Sequence, residues 1–265
     1  MNHLLHTIHE LINQENNSVS IILKDLSKDT TIIDINSTNK VVSASTIKVL
    51  IMLSVLNSIL HQQSSLDELI TISPDILLPD SKVIIKENSA YTIKELLYWM
   101  IINSDNTATN TLINRFGIDS INSYSKNTLN LINTKLERMM LDFEAIKSGR
   151  NNYTSQEDLL HTFEAIYNKT ILNDKLCNLA MDILYAQRSK DYILRYVYNP
   201  IPFAHKTGEL DYLIHDAGIL TINNTDYYLG ISIYNPELID GNINLMGTLG
   251  KLIITYLLNA SNWFS

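Results

Sequence analysis

The sequence predicts a mixed α/β fold of the α+β type. One five-stranded antiparallel sheet is assembled from both ends of the chain and covered by terminal helices, with an all-helical segment inserted between its halves. Three observations carry this expectation. Two β-branched, alternating runs lie near the N-terminus, and the apolar period returns to two beyond about residue 192. Between them, apolar residues recur at helical spacing. Strands at both ends around a helical middle are most economically joined in one sheet.

In chain order, Leu4, Leu5, Ile8, Leu11 and Ile12 repeat at helical spacing. Ser18 to Lys24 and Thr30 to Ile35 then alternate, and the polar break Asp25 to Asp29 between them reads as a hairpin. Helices are expected over 45–60, 92–102, 106–115, 118–129, 154–168 and 173–187. Thr92 with Glu95 three residues on has the spacing of a capping box. Ser155 followed by Asp158 opens the apolar run Leu159, Leu160, Phe163 and Ile166. Ala204 to Thr207, Ala217 to Ile222 and Tyr227 to Tyr234 read as strands, the last two joined through Asn223-Asn224. Asn244 to Leu258 is helical again. The expected domains are a sheet domain of residues 1–43 and 188–265 and a helical domain of residues 44–187, with the active site at their interface.

A chain of 265 residues, 45% hydrophobic and 18% charged, is long enough to bury a full core. Its net charge of −8, without any Lys/Arg cluster, argues against nucleic acid or an anionic membrane as partner. Cys177 is the only cysteine, so no intrachain disulfide forms, and it sits in an apolar helical pattern as a small buried side chain. The seven histidines contain no HExxH pattern, so a structural zinc or a metalloprotease is not expected. The N-terminal stretch lacks a basic region followed by a continuous apolar core, so as written the chain is expected to be cytoplasmic. A secreted or periplasmic protein whose leader had been trimmed would look the same.

Three clusters could do chemistry. Ser-x-x-Lys occurs three times, at Ser37–Lys40, Ser45–Lys48 and Ser123–Lys126, but only Ser45–Lys48 opens a strongly apolar helix. There the two residues share a helix face, and burial would lower the lysine pKa toward that of a usable base. On local grounds alone, the favoured reading is a capped helix with a snorkelling lysine. Ser104-Asp105-Asn106 lies between two helices, where a loop can present the hydroxyl and the amide. Lys206-Thr207-Gly208 lies on an expected edge strand.

Taken in order, with Ser104 59 residues after Ser45 and Lys206 102 residues further on, the three clusters resemble the motif set of class A β-lactamases and other penicillin-recognising serine hydrolases. The resemblance runs from about Ser18 to the C-terminal helix. It includes "YTIKELLYWMIINSDNTATNTLINRFG" and "KTGELDYLIHDAGIL". It implies Ser45 as nucleophile and Lys48 as the group that takes or relays its proton. Ser104 would deliver a proton to the leaving nitrogen, and the backbone N–H groups of Ser45 and Glu209 would form the oxyanion hole. Asn106 would hold the substrate's side-chain amide, and Lys206, Thr207 and Gly208 would bind its carboxylate.

The family also places a glutamate in a loop after the helical middle to activate the deacylating water. Here that loop resembles "LERMMLDFEAIKSGRNNYTS", with Met140 at the glutamate's position and Asn152 in place of the aspartate that pairs with the loop arginine, Arg138. Asp142 is the first candidate for a substitute base, ahead of Glu144. Three functions follow from these motifs. The first is a serine hydrolase that turns over a β-lactam or related amide or ester. The second is a covalent acyl trap or sensor, and the third an esterase or peptidase on another small substrate. The expected partner is a small molecule bearing a carboxylate, the expected state a monomer, and the chemistry calls for no cofactor.

Overall fold

The computed structural model describes residues 2–13, 18–234 and 239–260. Helix α1 (Asn2–Asn13) is followed by strands β1 (Ser18–Asp25) and β2 (Thr30–Ile35), which pair antiparallel. Asp25 builds the turn between them, its carboxylate accepting the N–H groups of Ser27 and Lys28 at 3.0 Å. At the other end come β7 (Phe203–Leu210), β8 (Leu213–Ile222) and β9 (Thr225–Tyr234). Asn223 and Asn224 turn β8 into β9 with φ of 50° and 60°, as a tight hairpin of two left-handed residues requires.

The five strands form one antiparallel sheet in the order β2-β1-β9-β8-β7. The first and last strands in the chain therefore meet at its centre, and β7 is left as an edge. Side chains alternate across the pleat. Ile21 and Leu23 of β1, Ile214 and Leu220 of β8, and Ile231 and Ile233 of β9 form one core with Leu4 and Ile8 of α1 and with α9 (Ile239–Ala260), through Met246, Leu249 and Ile253. The opposite face offers Ile22, Ala204, Ala217, Ile219 and Tyr228 to the helical segment.

That segment begins with β3 (Val41–Val42), a 3₁₀ turn (Ala44–Thr46) and α2 (Ile47–Leu60). Helix α2 is apolar on nearly every side and is accordingly buried, with Val49, Ile51, Met52, Leu53, Val55 and Leu56 inaccessible to solvent. Around it pack α3 (Ile93–Ile102), α4 (Asn106–Phe116), α5 (Ile118–Asn127) and α8 (Asp174–Tyr185), while α7 (Gln156–Tyr167) lies between α8 and the sheet, against β1, β8 and β9. The capping box at Thr92 and Glu95 is present, and Ser155 caps α7 through Asp158 N–H.

Five short elements escape the sequence reading. They are β4 (Leu69–Thr71) with β5 (Ala90–Thr92), the two-residue β3 with its partner β6 (Tyr153–Thr154), and α6 (Phe143–Lys147). Strands β7 and β8 also start or end several residues beyond their expected limits, because cross-strand pairing carries them through Gly208, Glu209, His215 and Asp216. Among the described residues no helix is long and apolar enough to cross a membrane.

Candidate active site

Ser45 lies in the 3₁₀ turn that feeds α2, one turn ahead of Lys48, whose Nζ is 3.1 Å from Ser45 Oγ. The turn is held in an uncommon backbone shape. Ala44 has φ of 44°, a left-handed conformation that a non-glycine residue keeps only where its surroundings enforce it. Three contacts supply that enforcement. Ser43 N–H donates to the Asn152 carbonyl at 2.9 Å, and the Thr46 hydroxyl donates to the Ser43 carbonyl at 2.6 Å. From the sheet, His215 Nε2–H donates to the Val42 carbonyl at 2.8 Å while its Nδ1 accepts from Ser232 Oγ. Burial lowers the His215 pKa to about 4, so the ring stays neutral and keeps this tautomer.

Lys48 is fully buried and sits among four oxygens: Ser45 Oγ, Ser104 Oγ at 3.0 Å, the Ser104 carbonyl at 2.7 Å and Asn106 Oδ1 at 2.8 Å. An ammonium has three protons to give, so four acceptors exceed its donors, whereas a neutral amine offers a lone pair to one of the two hydroxyls. Burial pulls the Lys48 pKa well below the ordinary lysine value, and the positive charge of Lys206 pulls the same way. Asp105 and Asp80 oppose the shift without cancelling it.

Ser104 is presented with φ of 55° at the junction of α3 and α4. The junction is fixed by Asp105, a buried N-cap of α4. Its carboxylate accepts from Ala108 N–H, from Ser81 Oγ through both oxygens at 2.8 Å, and from Val83 N–H at 3.0 Å. Lys206 Nζ reaches Ser104 Oγ at 3.2 Å and its own neighbour's Thr207 carbonyl at 2.7 Å. Burial lowers its pKa to about 7, against the opposing pull of Asp216. Ser45, Lys48, Ser104 and Lys206 thus form one chain of hydrogen-bonding groups linking the helical segment to the sheet edge.

Gly208 makes this approach possible. A Cβ there would lie 3.1 Å from Ala44 Cβ and from the Ser45 nitrogen, tighter than ordinary contact. The glycine lets the edge strand pass against the Ser45 turn. Ser45, Ser104, Asn106, Thr207, Gly208 and Glu209 line one cleft of about 440 Å³. Lys48 and Lys206 lie beneath its floor.

The same cleft is lined by residues that the sequence reading did not single out, among them Asp80, Lys82, Gln187 and Tyr192. Asp80 accepts from Asn106 Nδ2 at 2.8 Å, and the Tyr192 hydroxyl donates to Glu209. None belongs to a local motif. The only sequence signal was the polar "LPDSK" stretch ahead of α3, which carries no period.

In the loop between α5 and α7, Met140 is buried, and its backbone N–H and carbonyl are both held by the Asn110 side chain, at 2.7 and 3.1 Å. Asn110 stands one turn beyond Asn106 on α4, so the Asn110–Met140 contact lies one helical turn from the Asn106–Lys48 contact. Asp142, expected as a substitute base, is instead the N-cap of α6. It accepts Ala145 N–H at 2.9 Å and does not line the cleft. Glu144 is exposed and paired with Lys147. Asn152 closes the loop with its amide, accepting the N–H groups of Glu137 and Arg138 and donating to the Arg138 carbonyl. Among the described residues no cluster of His, Cys, Asp or Glu is arranged to hold a metal ion.

Solved structures share this architecture. The chain is similar to PBP-A with a TM-score of 0.88 at 23% identity, over 97% of this chain and 96% of that one. It is similar to a leucine-to-glutamate variant of PBP-A in an acyl-enzyme complex with penicillin G, at TM-score 0.87 and 24% identity over the same shares. A β-lactamase from Chitinophaga pinensis matches at TM-score 0.87 and 18% identity, over 96% of this chain and 99% of that chain. A search of curated proteins gives no match. Likeness at such identities establishes the fold. The model of the Beta-lactamase enzyme family matches residues 4–257, nearly the whole chain, and the protein therefore belongs to that family of hydrolases.

Proposed function

We propose that the protein is an active-site serine hydrolase that opens a β-lactam, or a related amide or ester bearing a carboxylate, through an acyl-Ser45 intermediate that is slow to hydrolyse. The observation that carries this reading is the buried Lys48 amine, within hydrogen-bond reach of both Ser45 Oγ and Ser104 Oγ. Ser45 Oγ forms a bond to the carbonyl carbon while its proton passes to neutral Lys48. The carbon–nitrogen bond then breaks, and the proton continues through Ser104 to the leaving nitrogen. The N–H groups of Ser45 and Glu209 take the oxyanion; loss of one such donor typically costs about 10²–10³ in rate. Protonated Lys206 and the Thr207 hydroxyl receive the substrate carboxylate. The substrate's amide carbonyl takes the Asn106 Nδ2 hydrogen bond that Asp80 holds in the free protein.

Slow release follows from where the carboxylates are. Of those lining the cleft, Asp80 is engaged by Asn106, Asp105 by Ser81 and loop N–H groups, and Glu209 by Tyr192. The loop behind Lys48 contributes a methionine where a general base would be useful. Mixing the protein with benzylpenicillin and following intact mass together with product tests both halves. The expected result is a stoichiometric adduct on Ser45, absent in Ser45→Ala, that outlasts many acylation half-times. Rapid turnover without an adduct would sink the slow-release half, and an adduct that survives Ser45→Ala would sink the nucleophile.

A further inference from the structure

Beyond Glu209, the Ser45 cleft continues into a second groove of about 520 Å³ between the 136–152 loop and the end of β7. Its walls are Phe143, Ile146, Leu210 and Tyr212, with Phe143 60% exposed. At its side lies Arg138, 93% buried by its 7% exposure, and without an ion pair within 4 Å among the described residues. The guanidinium donates only to neutral oxygens, from Nε to Asn151 Oδ1 and from Nη1 to the Met139 carbonyl, both at 2.9 Å. Two of five donors are thereby used. Burial alone depresses its pKa, and the nearest carboxylate to oppose this, Asp142, is committed to capping α6.

A buried cation without a counter-charge is costly, and a ligand carboxylate that pairs with it recovers that cost in binding. We propose that Arg138 makes this groove selective for substrates whose acyl side is an apolar chain ending in a carboxylate, which the guanidinium binds. The proposal rests on acylation of Ser45 as described above and names the substrate class of that site. The two acidic groups at the groove's rim do not oppose it. Glu209 and Asp211 are exposed, where solvent screens them, and Glu209 is already bonded to Tyr192. The apolar walls fit the methylene chain, and the planar fork of the arginine fits a terminal carboxylate.

The test compares penicillins that differ only in the acyl chain: succinoyl, adipoyl and suberoyl, each against its terminal methyl ester. Second-order acylation of Ser45 is read by intact mass. In the wild-type protein one free acid is expected to react about 10- to 100-fold faster than its ester, the range of a charge-assisted hydrogen-bonded pair. Arg138→Gln should abolish this ratio, and Arg138→Lys should keep part of it. Lys82→Ala, at the Ser45 cleft, should keep all of it. Should Arg138→Gln fail to fold, Phe143→Glu places a carboxylate on the exposed wall and should also abolish the ratio. Equal rates for acid and ester at every length overturn the Arg138 subsite while leaving acylation intact. A ratio that survives both Arg138→Gln and Phe143→Glu overturns it too. No adduct from any of these penicillins overturns both readings.

Discussion

At the scale of single residues, the two halves of the proposed hydrolysis are unequally provided for. Lys48 has a desolvated amine and a hydroxyl on either side, whereas Met140, whose backbone Asn110 clamps beside that site, has no group that can polarise water. Restoring a carboxylate there should restore the second half. Met140→Glu is expected to shorten the lifetime of the penicillin adduct by at least about 100-fold, the lower end of what a positioned general base contributes. Asp142→Asn should leave that lifetime within about twofold, since asparagine caps a helix as well as aspartate does. Adduct decay followed by intact mass in the two variants separates these outcomes. If Asp142→Asn prolonged the adduct and Met140→Glu did nothing, the base would be Asp142 after all.

At the scale of elements, two helix caps with similar sequence signatures do different jobs. Thr92 and Glu95 close an exposed capping box on α3, remote from the cleft. Asp105 caps α4 as well, but it is 1% exposed and also ties down the 81–84 loop and fixes the turn that presents Ser104. Thr92→Ala should cost about 1 kcal/mol with acylation unchanged. Asp105→Ala strands several buried donors and should cost about 3 kcal/mol, with slower acylation of Ser45. Urea unfolding and adduct formation on the same samples check this, and equal costs for the two variants would contradict it. The caps were legible in the sequence because Thr92–Glu95 and Ser155–Asp158 are local patterns. The contacts of Asp105 with Ser81 and Val83 were not, because they join segments more than twenty residues apart and leave no period behind. The pair β3–β6 was invisible for the same reason: two-residue strands exist only because Val41 and Thr154 are brought together.

At the scale of the whole molecule, stitching both chain ends into one sheet leaves β7 as an edge facing the helical segment, and the candidate cleft is lined from both sides of that seam. Order and spacing of the three motifs single out Ser45, Lys48, Ser104 and Lys206 as candidates; only the assembled fold shows Lys48 and Lys206 both buried and both within hydrogen-bond reach of one serine, Ser104. That arrangement sets function against stability. Lys206 holds its proton up to about pH 7 in the folded protein but up to its ordinary value of 10.5 when unfolded. Between those values the unfolded chain binds the extra proton, so the Lys206 contribution to stability rises with pH across this window and is least favourable below pH 7. Lys206→Met removes the buried charge and should raise Tm while abolishing recognition of the substrate carboxylate. The gain should be larger at pH 6 than at pH 9, by about 2–3 kcal/mol for two pH units of linked titration. Calorimetry of both proteins at the two pH values measures it. A gain that does not depend on pH would mean that Lys206 keeps its proton in the fold at both pH values, so that burial does not lower its pKa to about 7 and the cleft carries its positive charge throughout this range.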